Sequence, residues 1–222
     1  MISPKLSGRV LLSGVSFASA LWFARQQNWA AADIAWSMWL ASLVVGYGYI
    51  VFVIFIANPV ARQLSKPIAP EKGLLTVRIG ALLIGLASLG FFTVHFGMFH
   101  YVHAMLLDGF LPMSDPDTEE MLSVNIAALT SEAVRRYWPF VLAAGISQAG
   151  IFVAAWRDEV KDKMLAPYKA VMKNHLVIMA LGFLTIVTPQ LNALVFLLMI
   201  YFFPWADAWA FARRENPNNI KA

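Results

Sequence analysis

The chain has 222 residues, of which 59% are hydrophobic and 14% are charged, and its formal net charge is +4. This apolar share exceeds the roughly 45–50% of an ordinary soluble domain, so the composition predicts a protein that faces lipid. There is no cysteine, which excludes disulfides, iron–sulfur clusters, thiolate zinc sites, covalently attached c-type haem and cysteine nucleophiles.

Six apolar runs approach or exceed the length that a helix needs to cross a bilayer core of about 30 Å. They cover residues 10–24, 34–57, 75–107, 138–156, 171–187 and 191–211. The third run is longer than one perpendicular crossing requires, which implies tilt, a kink or a protruding end. The predicted fold class is all-α, a polytopic transmembrane helix bundle of about six spans that forms a single domain over residues 1–222.

The basic residues predict the orientation of these spans. Nearly all of them lie in segments on one side of the predicted bilayer, and the opposite side has Arg25, Arg135 and Arg136. Because cytoplasmic loops carry the excess of Lys and Arg, we expect a bacterial cytoplasmic (inner) membrane protein with both termini in the cytoplasm. Basic residues confined to short loops also argue against nucleic acid as a partner.

The connection 108–137 on the outer side has a different character from the other loops. It is acidic, and Asp115 followed by Pro116 is typical of a helix start. Apolar residues then recur near helical spacing at Met121, Leu122, Ile126 and Leu129. We predict a short amphipathic helix between the third and fourth spans, which lies on the membrane surface, on a partner subunit or in solvent.

Small residues indicate where helices can approach each other closely in a membrane. On the third span they are Gly80, Gly85, Ala87 and Gly90, and on the fourth they are Gly145, Ser147, Ala149 and Gly150. We expect these faces to pack against other helices.

Three of the four histidines, His95, His100 and His103, lie on the third span. An ionisable side chain inside a membrane segment is costly and marks a candidate functional site. His95 lies near the middle of its span, so we expect it to meet another helix at mid-membrane depth. His103 lies about 12 Å further along the helix, towards the outer interface, and the two histidines cannot share one ion. His100 points about 140° away from His95, so we expect it to face headgroups or the outer loop.

Two polar clusters are predicted from similar depths on different spans. His95 would meet Gln148 near the middle, and His175 would meet Asn174 and Asp207 towards the inside. His95 and His175 could ligate a b-type haem, a chlorophyll-type pigment or a transition metal. The alternative is that each side chain bonds a neighbouring helix, because lipid offers no water to satisfy it.

The sequence lacks the phosphate loop GxxxxGK and the motifs GxGxxG, HExxH and GxSxG, which argues against the common enzyme classes. A transporter needs a continuous polar path, and the few polar residues within the spans lie at different levels.

Two stretches resemble an uncharacterised family of bacterial membrane proteins, the domain of unknown function numbered 6498. They are His95-Phe96-Gly97-Met98-Phe99 with His103, and Ala166-Pro167-Tyr168 followed by His175-Leu176. The resemblance covers residues from about 75 to 212 and implies a membrane helix bundle, with no activity attached.

The resemblance also implies further polar residues in the membrane, and this chain lacks several of them. A family histidine corresponds to Gln148, a lysine of the last span is replaced near Phe203, a second histidine corresponds to Phe211, and an acidic residue of the second span is not evident. If the family set binds a metal, this divergent member keeps His95, His103, His175 and Asp207 as ligands.

Two functions follow as predictions. The first is a non-enzymatic accessory or structural subunit of a larger membrane complex, with the lipid bilayer and other membrane subunits as its partners. The alternative is a redox or carrier protein in which transmembrane histidines bind haem, a (bacterio)chlorophyll or a transition metal.

Overall fold

The computed structural model describes residues 4–57, 74–113, 126–157 and 201–202, together with Lys163, Tyr168, Met172, Leu176 and Met179. Within these residues the regular structure is helical and there is no strand. The four long helices are α1 (Pro4–Gln26), α2 (Ala31–Phe52), α3 (Leu74–Phe110) and α4 (Ile126–Trp156). A π-helical segment, Val53–Ala57, continues α2.

A tight corner joins α1 to α2. Asn28 adopts a positive φ of 51°, and its N–H donates to the Arg25 carbonyl while that of Trp29 donates to the Ala24 carbonyl. This is the Schellman arrangement, in which asparagine tolerates the left-handed conformation that ends a helix. The Asp33 carboxylate then accepts the Ala30 N–H at 2.8 Å, which satisfies one of the free donors at the start of α2.

The centre of the bundle is α2. In its most apolar window 56% of the residues are buried, compared with 11% for α3 and 22% for α4. It runs antiparallel to α3, with Trp36 beside Leu111 and Tyr47 beside Thr93. It runs parallel to α4, since Asp33 meets Tyr137 and Tyr49 meets Phe152. Helix α4 also packs against α1. Helix α3 therefore covers one side of α2 and leaves most of its own surface exposed.

Three described helices are long and apolar enough to cross a membrane: Ala31–Ala57, Val77–Phe110 and Ala127–Trp156. They correspond to the predicted second, third and fourth spans, which are thereby confirmed as helices of membrane length. The predicted first span lies within α1, which is helical but is not one of these three. Residues 171–187 and 191–211 lie outside the described residues apart from five positions, so the count of six spans is not supported beyond these helices.

The outer connection differs from its prediction. Ile126 and Leu129 belong to the first turns of α4, which continues without a break to Trp156, and not to a separate surface helix. The reason is that buried positions continue at helical spacing from Leu129 through Ala133 and Tyr137 into the predicted span. Met121 and Leu122 lie outside the described residues.

The first turns of α3 extend past the described part of α2 and its π-helical segment. Gly85 of α3 lies against Ile54 and Phe55, close to the end of the π-helical segment at Ala57. Helix α3 begins at Leu74, so about ten residues, or roughly 15 Å of helix, extend beyond that contact.

Candidate functional site: the histidine face of α3

The three histidines of α3 lie in two different environments. His100 and His103 are both 2% exposed, whereas the His95 side chain is exposed. The predicted separation of His95 from His100 is confirmed, but the environment predicted for His100 is wrong. His100 meets α2 and not headgroups or the outer loop, whereas His95 contacts Tyr168 and is exposed in the described part of the bundle.

Both ring nitrogens of His100 are engaged. Nδ1 lies 2.9 Å from the Phe96 carbonyl oxygen, which can only accept, so we assign the ring proton to Nδ1. Nε2 lies 2.8 Å from the Ser42 hydroxyl of α2 and accepts its hydrogen. The Trp39 indole N–H also donates to the His100 carbonyl at 3.0 Å. These bonds join α2 and α3 at a buried level where lipid could not satisfy the polar atoms.

Like His95, His100 lies near the middle of the described bundle. Its partner Ser42 is close to the centre of the membrane-length helix Ala31–Ala57, and Trp36 bonds the Leu111 carbonyl nearer one end. His95 lies five residues before His100 along α3, roughly 7 Å away, and the next residue, Phe96, lies against Gly46, which is also close to the centre of that helix.

His95 is held by aromatic rings. Its imidazole stacks on Phe91 with centroids 5.9 Å apart and planes at 8°, and Tyr168 meets it edge-on at 5.6 Å. Tyr168 also contacts Phe92 and Phe96. The imidazole is thus oriented by its neighbours while it remains accessible from outside the bundle.

The predicted pairing of His95 with Gln148 is wrong. Gln148 lies on α4 and its amide donates to the Tyr201 hydroxyl at 3.3 Å, whereas α3 packs mainly on α2. His175, Asn174 and Asp207, the second predicted cluster, lie outside the described residues. Within the part of the chain that is described, no three His, Asp or Glu side chains lie together as a metal ion would require. A metal held by His95, His103, His175 and Asp207 stays a prediction.

Asp33 is a polar residue that the sequence reasoning missed. Its carboxylate accepts the Tyr137 hydroxyl of α4 at 2.7 Å, and the Trp29 ring meets Tyr137 edge-on at 5.1 Å. The pair thus fastens the corner between α1 and α2 to α4. The sequence feature that could have identified Asp33 is its position three residues after Ala30, where a carboxylate can accept the N–H at the start of a helix.

Glu132 pairs with two of the three basic residues on the predicted outer side, Arg135 and Arg136. It accepts hydrogen bonds from Arg135 at 2.9 and 2.6 Å and also forms an ion pair with Arg136. These pairs reduce the cost of carrying charge into the start of an otherwise apolar helix.

The described geometry can be set against known proteins. A family model described as a family of unknown function, DUF6498, matches residues 9–219. The chain belongs to DUF6498. The match confirms the resemblance and extends it from residue 75 back to α1 and α2. No curated protein and no solved structure matches the chain.

In this DUF6498 chain the histidines of α3 can act in two different ways. His100 holds α2 and α3 together and has no ring nitrogen left for a ligand. His95 presents an oriented imidazole to the surroundings of the bundle, and a neutral imidazole can ligate a metal or exchange a hydrogen bond. Gln148 donates a hydrogen bond to the Tyr201 hydroxyl and is not near His95.

Proposed function

We propose that this DUF6498 protein is a multi-pass inner-membrane protein that acts by helix packing, as an accessory or structural subunit of a larger membrane assembly. In this proposal it has six spans and both termini in the cytoplasm. The apolar helices Ala31–Ala57, Val77–Phe110 and Ala127–Trp156 support the membrane location, and the distribution of basic residues supports the orientation.

The observation that carries the proposal is the use made of buried polar side chains. Ser42 and His100 join α2 to α3, Trp36 and Trp39 donate to carbonyls of α3 or its end, and Tyr137 bonds Asp33. Each of these groups holds elements together. Interhelical bonds of this kind fix the helix surfaces that an assembly would contact.

The exposed surface of α3 supports the same conclusion. Only 11% of its apolar window is buried, although the helix is 37 residues long. A helix of this kind can pack on lipid or on other membrane subunits along most of its length.

Native mass analysis after purification in a mild detergent tests the subunit role. We expect the full chain to be recovered with other membrane proteins at a fixed stoichiometry that survives dilution. The matched sample is the same preparation in a harsher detergent, which should release the free chain. A lone chain of 24.7 kDa in every mild detergent would refute the proposal.

A second function is favoured by the exposure of His95. An oriented imidazole on the outside of a membrane-length helix fits a redox or carrier protein in which His95, with His175 as the predicted partner ligand, binds haem, a pigment or a transition metal. An absorption spectrum and elemental analysis of the purified protein test it. A preparation with neither a Soret-type band nor a stoichiometric metal would exclude this function and leave the subunit role standing.

A further inference from the structure

The position of His95 leaves its ring nitrogens to be satisfied from outside the described bundle. The contacts of the ring with Phe91 and Tyr168 are aromatic, and such contacts supply neither a donor nor an acceptor to nitrogen. His95 lies ten residues from Gly85, the level at which the π-helical segment ends, so roughly 15 Å of helix separates it from that end. An imidazole at this depth in hydrocarbon needs a partner.

The other two histidines of α3 are not accessible to an added molecule. His100 uses both ring nitrogens to join α2 and α3. His103 is only 2% exposed. His95 is therefore the histidine of α3 that an added molecule can reach.

The chemistry of the described surface limits what could bind there. A bare transition-metal ion generally takes three or more protein ligands, and the described residues bring no three His, Asp or Glu together. A metal tetrapyrrole supplies four equatorial nitrogens itself and needs one axial ligand from the protein, for which a single histidine suffices.

The surroundings of His95 match such a ligand. Phe91, Val94 and Met98 are 73%, 68% and 58% exposed, and they provide an apolar surface beside the imidazole. We propose that His95 is the axial ligand that the described residues supply to a metal tetrapyrrole, haem or a magnesium-containing relative, that lies against this outward surface of α3. The proposal rests on the second function above and narrows its ligand class and its ligand residue.

Zinc protoporphyrin, which takes one axial ligand, and haem are the probes. Added to the full chain in mild detergent, each should bind at one per chain and shift its Soret band. His95→Ala should weaken binding by more than about 100-fold, because the axial bond is lost. His95→Gly should regain the band when imidazole is added, and Tyr101→Ala, an exposed change two turns away, should bind like the wild type.

The outcomes separate the proposals. Binding that is unchanged in His95→Ala, or in His95→Gly with and without imidazole, overturns the assignment of His95. A wild-type chain that takes no tetrapyrrole but holds a stoichiometric metal ion overturns this inference and keeps the second function. A chain that binds neither overturns both. A thermal melt of His95→Ala that matches the wild type shows that lost binding is not lost folding.

Discussion

Gly46 of α2 lies directly against the ring of Phe96 on α3. A Cβ atom added there would lie 2.5 Å from Cζ of Phe96, a distance that carbon atoms do not adopt. Phe96 is fully buried and stacks on Phe92, so it cannot move aside without displacing its neighbours. The helices can therefore approach only because this residue has no side chain.

We predict that Gly46→Ala destabilises the protein by about 1–3 kcal/mol, the usual cost of overpacking a well-filled interior. Thermal unfolding in detergent measures the effect. Gly48→Ala is the matched control, because a Cβ at Gly48 meets nothing within 4 Å. If the two variants melt alike, the close contact at Gly46 is not real.

Ser42 and His100 form the second residue-scale contact. Ser42→Ala leaves the His100 Nε2 without its described donor, and we expect a loss of about 1–2 kcal/mol in the free energy of unfolding. Ser37→Ala is the control: Ser37 is also buried, but its hydroxyl donates to Ile34 within the same helix. An equal loss in both variants would mean that the hydroxyl of Ser42 does not join α2 to α3.

The residue scale also shows where sequence reasoning stops. Helical spacing correctly separates His95 from His100, but it cannot say which of them faces a neighbour. That choice depends on α2, where Gly46 and Ser42 present little volume opposite Phe96 and His100. Of the glycines predicted to mark close packing, Gly85 does so, while a Cβ added at any of the others would meet nothing within 4 Å: Gly80, Gly90, Gly145 and Gly150.

At the scale of elements, long apolar runs were sufficient to locate the helices. The bounds of α2 with its π-helical segment and of α3 differ from the predicted spans by only a few residues. The start of α4 could not be found in this way, because Glu132, Arg135 and Arg136 interrupt the apolar run. The ion pairs among these side chains let the helix begin at Ile126.

The attachment of α2 to α4 depends on Asp33 and Tyr137. We predict that Tyr137→Phe, which removes the 2.7 Å hydrogen bond and keeps the ring, lowers stability by about 1–2 kcal/mol, as expected for a hydrogen bond to a charged group. The melting temperature measures this, and Tyr101→Phe on the exposed side of α3 is the control. A Tyr137→Phe protein as stable as the control would show that packing alone attaches α4.

At the scale of the whole molecule, the proposed orientation in the bilayer rests on the distribution of basic residues. Because the chain has no cysteine, single introduced cysteines report without background. We expect Gln27→Cys, at an exposed position of the α1–α2 corner, to react in intact cells with a membrane-impermeant maleimide, and Asn218→Cys to react only after the membrane is opened. The reverse pattern would contradict the predicted orientation.

The central claim is that His100 joins α2 to α3 whereas His95 is exposed. Replacing each of the two histidines by the same apolar residue tests this claim most directly. The measurement is the difference in melting temperature between His95→Leu and His100→Leu, made on ligand-free protein in one detergent. We predict that His95→Leu melts at or above the wild-type temperature, since an exposed imidazole is replaced by an apolar side chain. His100→Leu should lose about 1–2 kcal/mol with its interhelical hydrogen bond. A protein that tolerates leucine at His100 and unfolds with leucine at His95 would contradict the account.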